Sequence, residues 1–191
     1  LGVQLAASDI NLTQNGCTAS DKNYLAKLRW ATGNLKSTGS TNYVWASSTD
    51  RGYYYTWYST YTGNTNINNT DPCSKLNTAY YGTGWRTPSK NELTKLARCT
   101  NKILTNSGMW FMNNSIGLFL PAAGCRQDGN GSNTSPTTDS GTDGYYWSSD
   151  IGNGNNTGKR LYFGKRYNTA DVADHAKNAG LTVRCVKGTK Q

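Results

Sequence analysis

The clearest periodic stretch along the chain follows Thr87-Pro88-Ser89, where Leu93, Leu96 and Ala97 recur at helical spacing between polar residues. Ser89 and Glu92 stand at the spacing of a capping box, so a helix is predicted from there through Cys99. Asp71-Pro72 opens a second predicted helix, with Asp at the cap and Pro at the first helical position. It would run through Cys73, Leu76 and Tyr80 to Gly82 or Gly84. Before these, Val3–Ile10 forms a short amphipathic lead and Asn15-Gly16 a turn. In Tyr24–Trp30, Leu28 and Trp30 alternate as in a strand. Tyr53–Trp57-Tyr58 has the composition of a strand, and equally of a packed aromatic corner. Later, Met109–Met112 and Gly117–Leu120 read as two strands joined by Asn113-Asn114. Tyr145–Ser148, Leu161–Phe163 and Leu181–Val186 read as the closing strands. Two helices followed by small sheets and long polar loops predict an α+β domain. No repeat and no Pro/Ser linker divides residues 1–191, so one domain is expected, with residues 1–20 as a lead-in.

Composition changes this picture in one respect. The apolar share is only 35% and the charged share 16%, values that in an aliphatic-poor chain resemble disorder. The 13 Tyr and 6 Trp argue otherwise, because each buried ring removes about 150–250 Å² from water. The loops are rich in the 22 Asn and 21 Gly. Tyr, Ser, Asn and Gly together are also the chemistry of antibody binding loops. No apolar run approaches the roughly 20 residues of a membrane helix, so no membrane insertion is expected. Leu1 opens the chain without Met or a signal-peptide pattern, as expected of a mature fragment or a domain cut from something larger.

The formal charge of +9 is uneven. Residues 1–150 hold 12 basic and 9 acidic side chains, whereas residues 151–191 hold 8 and 2. That surplus favours an anionic partner, but no helix-turn-helix, zinc finger or basic helical stripe supports nucleic acid. The five Cys (Cys17, Cys73, Cys99, Cys125, Cys185) include no C-x-x-C pair, which disfavours a zinc site and fits long-range disulfides in an oxidising compartment. No metal or cofactor is expected. Asp128–Ser132 spaces oxygens like a calcium loop but lacks its Gly and Glu, and reads as a turn. Glu92 is the sole Glu and is assigned to a cap, His175 lies in a polar stretch, and no G-x-S-x-G occurs. No catalytic role is assigned to any residue.

Three groups of motifs occur in order: Asp71-Pro72-Cys73 with Gly84-Trp85-Arg86-Thr87-Pro88-Ser89; Gly117–Pro121 with Ala122-Ala123-Gly124-Cys125-Arg126; and Gly144-Tyr145-Tyr146-Trp147-Ser148-Ser149, Leu161-Tyr162-Phe163 and Thr182-Val183-Arg184-Cys185-Val186. Over Asp71–Lys187 the chain resembles the FISUMP (Fibrobacter succinogenes major paralogous) domain family. The resemblance implies a C-type lectin-like fold in the variant shared with formylglycine-generating enzyme. It is also similar to Bacteroidales fimbrial-tip adhesins and to the variable proteins of diversity-generating retroelements. The Cys73 and Cys99 segments would be the two helices of that fold. The resemblance further implies a Cys73–Cys185 bridge and leaves Cys99–Cys125 or a bridge from Cys17 open. Trp85, Arg86, Trp147 and Arg184 are read as scaffold.

Carried onto this chain, the varied positions of such proteins are Asp150, Ile151, Gly152, Asn153, Asn155, Asn156, Lys159 and Arg160, then Tyr162, Lys165, Arg166, Tyr167, Asp171, Ala173, Asp174, His175 and Ala176. These form the implied ligand face. The expected function is non-catalytic binding of a host or bacterial surface protein or glycan, with fimbrial subunits as further partners, on an extracellular or fimbrial-tip protein. The contrasting readings are an enzyme of the formylglycine-generating type or one acting on polysaccharide, and a structural envelope module. The paired C-terminal cysteines of the first are missing, since Cys185 stands alone there.

Overall fold

The computed structural model describes residues 2–5, 16–38, 41–62, 66–113, 116–126 and 138–191. Among these residues, three α-helices and four small antiparallel sheets make up a mixed α+β fold. The candidate calcium turn Asp128–Ser132 and most of the amphipathic lead lie outside the described residues.

Helix α3 (Lys90–Cys99) forms as its sequence predicts. Ser89 accepts from the Glu92 backbone N–H while the Glu92 carboxylate accepts from the Ser89 N–H, and Leu93, Leu96, Ala97 and Cys99 are buried. The segment expected as a single helix from Asp71 is instead two pieces. Asp71 caps a 3₁₀ turn at Pro72–Lys75, and Asn77 then accepts from the Ala79 N–H to start a separate helix α2 (Thr78–Tyr81). A second cap at Asn77, five residues after Pro72, draws the backbone out of helical angles, and Gly82 ends the piece at φ +76°.

Helix α1 (Ala19–Lys27) occupies the stretch expected to alternate as a strand, which survives only in β1 (Arg29–Trp30). Thr18 and Asp21 build a capping box there, and Ala19, Lys22, Ala26 and Lys27 are good helix formers. The helix pair is therefore α1 and α3, and the Cys73 segment is not one of the two long helices. Lys95 of α3 pairs with Asp21 of α1 at 3.1 Å.

Strand β1 joins β11 (Val186–Lys187) and β4 (Trp85–Arg86) in one sheet, and β2 (Leu35–Ser37) pairs with β3 (Tyr43–Trp45). Strands β5 (Asn101–Leu104), β6 (Gly108–Asn113) and β7 (Ile116–Pro121) form a meander. The sheet that positions the candidate site has the order β10-β9-β8, with β8 at Asp143–Ile151, β9 at Thr157–Gly164 and β10 at Thr169–Ala176. β10 falls in the polar stretch between Leu161–Phe163 and Leu181–Val186 that reads as loop, because Val172 is the one large aliphatic in it. Of Leu181–Val186, only Val186 enters a sheet. The rest runs extended between Tyr55 and β8, through Tyr55 N–H to Leu181 O at 2.8 Å and Trp147 N–H to Thr182 O at 3.0 Å. The Tyr53–Tyr58 stretch is the aromatic corner rather than a strand.

Two disulfides close the frame. Cys73–Cys185 is present as the resemblance implied, 112 residues apart in sequence. The open choice resolves to Cys17–Cys99, which ties the entry of α1 to the end of α3. Cys99–Cys125 is thus excluded, and Cys125 is a buried thiol outside both bridges. One core cluster lies among α1, α3, β6 and the inner face of β8–β10. A second gathers Tyr55, Trp57, Trp85, Tyr145, Trp147 and Leu181 on the other side of that sheet.

Candidate ligand-binding face

Strand geometry sorts the implied ligand face before any chemistry is considered. Directly paired residues of an antiparallel sheet share a face, and neighbours along one strand alternate. On β9, Lys159, Leu161 and Phe163 point inward, opposite Asp174, Val172 and Ala170 of β10. Gly158, Arg160 and Tyr162 point outward, opposite His175, Ala173 and Asp171. On the other flank Arg160 pairs with Trp147, and Tyr162 with Tyr145. The outward set Arg160, Tyr162, Asp171, Ala173 and His175 is thus brought together on one face, and Tyr167 packs onto it with its ring 4.5 Å from that of Tyr162.

The remaining predicted residues lie elsewhere. Ile151, Gly152, Asn153, Asn155 and Asn156 form the β8–β9 hairpin end, with Ala176 beside it through its pairing with Thr157. Lys165 and Arg166 form the turn at the opposite end. Lys159, Asp174 and Asn153 make an internal clamp: Lys159 is ion-paired to Asp174, its Nζ donates to Asn153 Oδ1 at 3.1 Å, and the Asn153 N–H donates to Asp174 Oδ2 at 2.8 Å. The Lys159 ammonium and the Asn153 N–H hold the Asp174 carboxyl below the usual carboxylate range. Asp150 accepts the Lys90 N–H at 2.7 Å and so closes the free N-terminus of α3. These four are framework in this fold.

On the outward face the Arg160 guanidinium sits 4.4 Å from the Tyr145 ring centre and 5.8 Å from that of Tyr162, a cation–π arrangement. Tyr145 donates to Asp139 at 2.9 Å, and its hydroxyl lies 3.1 Å from that of Tyr167. Burial, then these two partners, push the Tyr145 phenol well above its ordinary range. Trp57 lies over Gly158; a Cβ at that glycine would stand 2.1 Å from Trp57 Cδ1, so only glycine admits the indole. The His175 ring is 6.0 Å from Trp147.

Burial, and secondarily the charge of Arg160, lower the His175 pKa to about 4. The unfolded chain takes up a proton near pH 6.5 that the folded imidazole refuses, so this contribution to stability is complete above pH 6.5 and is lost as pH falls towards about 4. Urea unfolding between those limits should show a fall in stability that His175→Gln flattens. An unchanged slope would exclude a neutral His175.

The surplus of positive charge turns out to be divided. Arg184 is fully buried, donates to Asn34 Oδ1 at 2.8 Å and Ala31 O at 3.0 Å, and is pushed by burial to a pKa of about 10. Arg166 is paired with Asp139 and Asp143. Of the four cations Lys159, Arg160, Lys165 and Arg166, the first is clamped, the second stacked and the last exposed but ion-paired, while Lys165 is exposed with no ion pair among the described residues. The scaffold reading holds for Trp85, whose indole donates to Tyr81 O at 2.9 Å, and for Trp147, which donates to Tyr55 O at 2.7 Å. Arg86 meets Glu92 through two bonds of 2.6 and 2.7 Å. Missed from sequence were Trp57, Asp139 and Tyr145 as members of the face. Gly158, placed where a strand should carry a side chain, was the available signal for the first.

Cys17, Asp21 and Cys99 bring three ligand-type atoms within 4.8 Å of one another. The two sulfurs are bonded to each other, and Lys95 holds Asp21, so the group offers no thiolate to a metal while the bridge stands. Residues 106–186 match a family model described as a domain of unknown function (DUF8237). That span takes in β6–β10 and ends at Val186, leaving α1, α3 and the 3₁₀ turn outside it. Neither a curated protein nor a solved structure gives a match.

Proposed function

We propose that this is a non-catalytic ligand-binding domain with a C-type lectin-like fold, belonging to an extracellular bacterial surface or pilus-tip protein. It meets a surface glycan or protein through the outward face of β9 and β10. The observation that carries the reading is that face itself: Asp171, Ala173 and His175 stand partly or fully exposed on the outer strand beside Arg160 and Tyr162. Two disulfides, Cys73–Cys185 and Cys17–Cys99, fix the frame that carries the face. Disulfides fit an oxidising compartment, and among the described residues no helix is long and apolar enough to cross a membrane.

Retroelement variation belongs to the same proposal, because varied positions must accept many side chains without unfolding the domain. Asn155, Asn156, Asp171 and Ala176 are exposed and suited to that, whereas Asp150, Lys159 and Asp174 are not. A reverse-transcriptase gene beside a near-repeat of the 3′ end is the genomic arrangement it requires.

The test is binding to a glycan and surface-protein array by the wild type and by the pair Asp171→Lys with Ala173→Glu. The second change faces Arg160 across the ladder and so adds no like-charge pair. Binding should weaken by about tenfold or more, on the order of 1.4 kcal/mol, while stability moves by no more than about 0.5 kcal/mol. Retained binding would remove the face from the site.

A further inference from the structure

At the hairpin end of the same sheet lies a cavity of about 300 Å³ lined by Ile67, Asn156, Ala176, Lys177 and Asn178. Its volume is at the small end of small-molecule sites. Lys177 is held rather than free to sweep solvent: its Nζ donates to Asn155 O at 2.8 Å and stands 4.4 Å from the Trp57 ring centre. Its backbone is fixed too, donating to Asn156 O and accepting from Trp57 N–H, each at 2.9 Å. One of three ammonium protons is used in this way, and no described carboxylate pairs with Lys177. The Asn156 and Asn178 side chains are exposed and make no hydrogen bond among the described residues.

Two other depressions among the described residues lack this combination. In the one beside β5, Lys102 donates to Ala97 O at 2.7 Å and Thr100 O at 3.1 Å, closing the end of α3. In the one beside Ser107, Asp50 is paired with Lys36.

Resting on the ligand-binding reading above, we propose that this cavity binds one acidic sugar residue, with Lys177 taking the carboxylate. Asn156 and Asn178 each carry a donor and an acceptor, as adjacent hydroxyl groups require. Ile67 offers an apolar side to the C–H face of a pyranose ring.

The probe is glucuronate, compared with glucose and acetate at equal concentration and followed by backbone amide shifts. Glucuronate should move the signals of Asn156, Ala176, Lys177 and Asn178. Glucose and acetate should each bind about tenfold more weakly or less. Lys177→Gln should abolish the response. If that variant loses its fold, Asn156→Asp, at an exposed site, must do the same by repelling the carboxylate. Equal binding of acetate would reduce the site to a bare anion contact and overturn the sugar assignment, as would equal binding of glucose. Shifts confined to Arg160–His175 would overturn the cavity while leaving the outward face standing. No shifts at either place would overturn the inference alone, since the face is judged by the Asp171 and Ala173 variants.

Discussion

Replacing Cys73 and Cys185 together by alanine is expected to lower the unfolding free energy by about 4–5 kcal/mol, from loop length in the chain-entropy account. The bridge spans 112 residues, so its loss frees most of the unfolded chain. For a domain of this size the thermal midpoint should fall by roughly 10–20 °C. Both sulfurs lie in the second core cluster, 1% and 0% exposed, beside Trp85, Tyr145 and Trp147. Loss of packing there adds to the entropic effect.

The companion variant without Cys17 and Cys99 separates the two contributions. Its loop of 82 residues is worth only about 0.3 kcal/mol less by length. It ties α1 to α3 within the first core cluster, however, on the side of the sheet away from the ligand face. Denaturant unfolding under non-reducing conditions should therefore rank Cys73–Cys185 as the costlier loss, and should also show weaker binding by the face in that variant alone. A cost below about 1 kcal/mol would mean the bridge constrains nothing the rest of the fold does not already hold.

What could be read from the sequence divides by the range of the interaction responsible. The α3 box at Ser89 and Glu92 and the β6–β7 pair are local and legible. The double break after Lys75 was also local, but its signal, Asn77 as a second cap, was masked by the stronger pair Asp71-Pro72. Helix α1 was hidden because its capping residues are Thr18 and Asp21, a weaker form of the same motif, and because Leu28 and Trp30 belong to the strand that follows. β10 has almost no pattern of its own; its strand state comes from pairing with β9 along eight residues. For the site, the segment 150–176 could be chosen by resemblance, but not its division. Lys159 and Arg160 are adjacent in sequence and on opposite faces of the sheet, so a charge pair read as one patch becomes one buried clamp and one stacked cation. The outward face therefore carries fewer charges than the composition implied, and more aromatic surface.

The second large effect is expected at Glu92, the one Glu of the chain, which is fully buried. Its carboxylate accepts two bonds from Arg86, one from the Ser89 N–H at 2.7 Å and one from the Tyr24 hydroxyl. Arg86 continues to Gly188 O at 3.0 Å, and the Tyr24 hydroxyl, its one proton given to Glu92, lies 2.7 Å from Thr189 O and accepts from Gln191 N–H at 3.1 Å. One carboxylate thus joins α1, β4, the start of α3 and the C-terminal segment. Glu92→Gln keeps the shape but turns an amide donor towards guanidinium or hydroxyl donors and leaves Arg86 without its counter-charge. A loss of about 3–5 kcal/mol is expected, the range for breaking a buried pair on one side. Exchanging both partners, Arg86→Met with Glu92→Leu, should cost less than the two single losses added, because no lone charge remains buried. Burial and then the Glu92 bond raise the Tyr24 phenol to a pKa of about 12. Removing the negative charge should bring that titration back towards its ordinary value near 10, readable by ultraviolet absorbance. A Glu92→Gln protein as stable as the wild type, with Tyr24 still titrating near 12, would show that packing alone holds these four segments together.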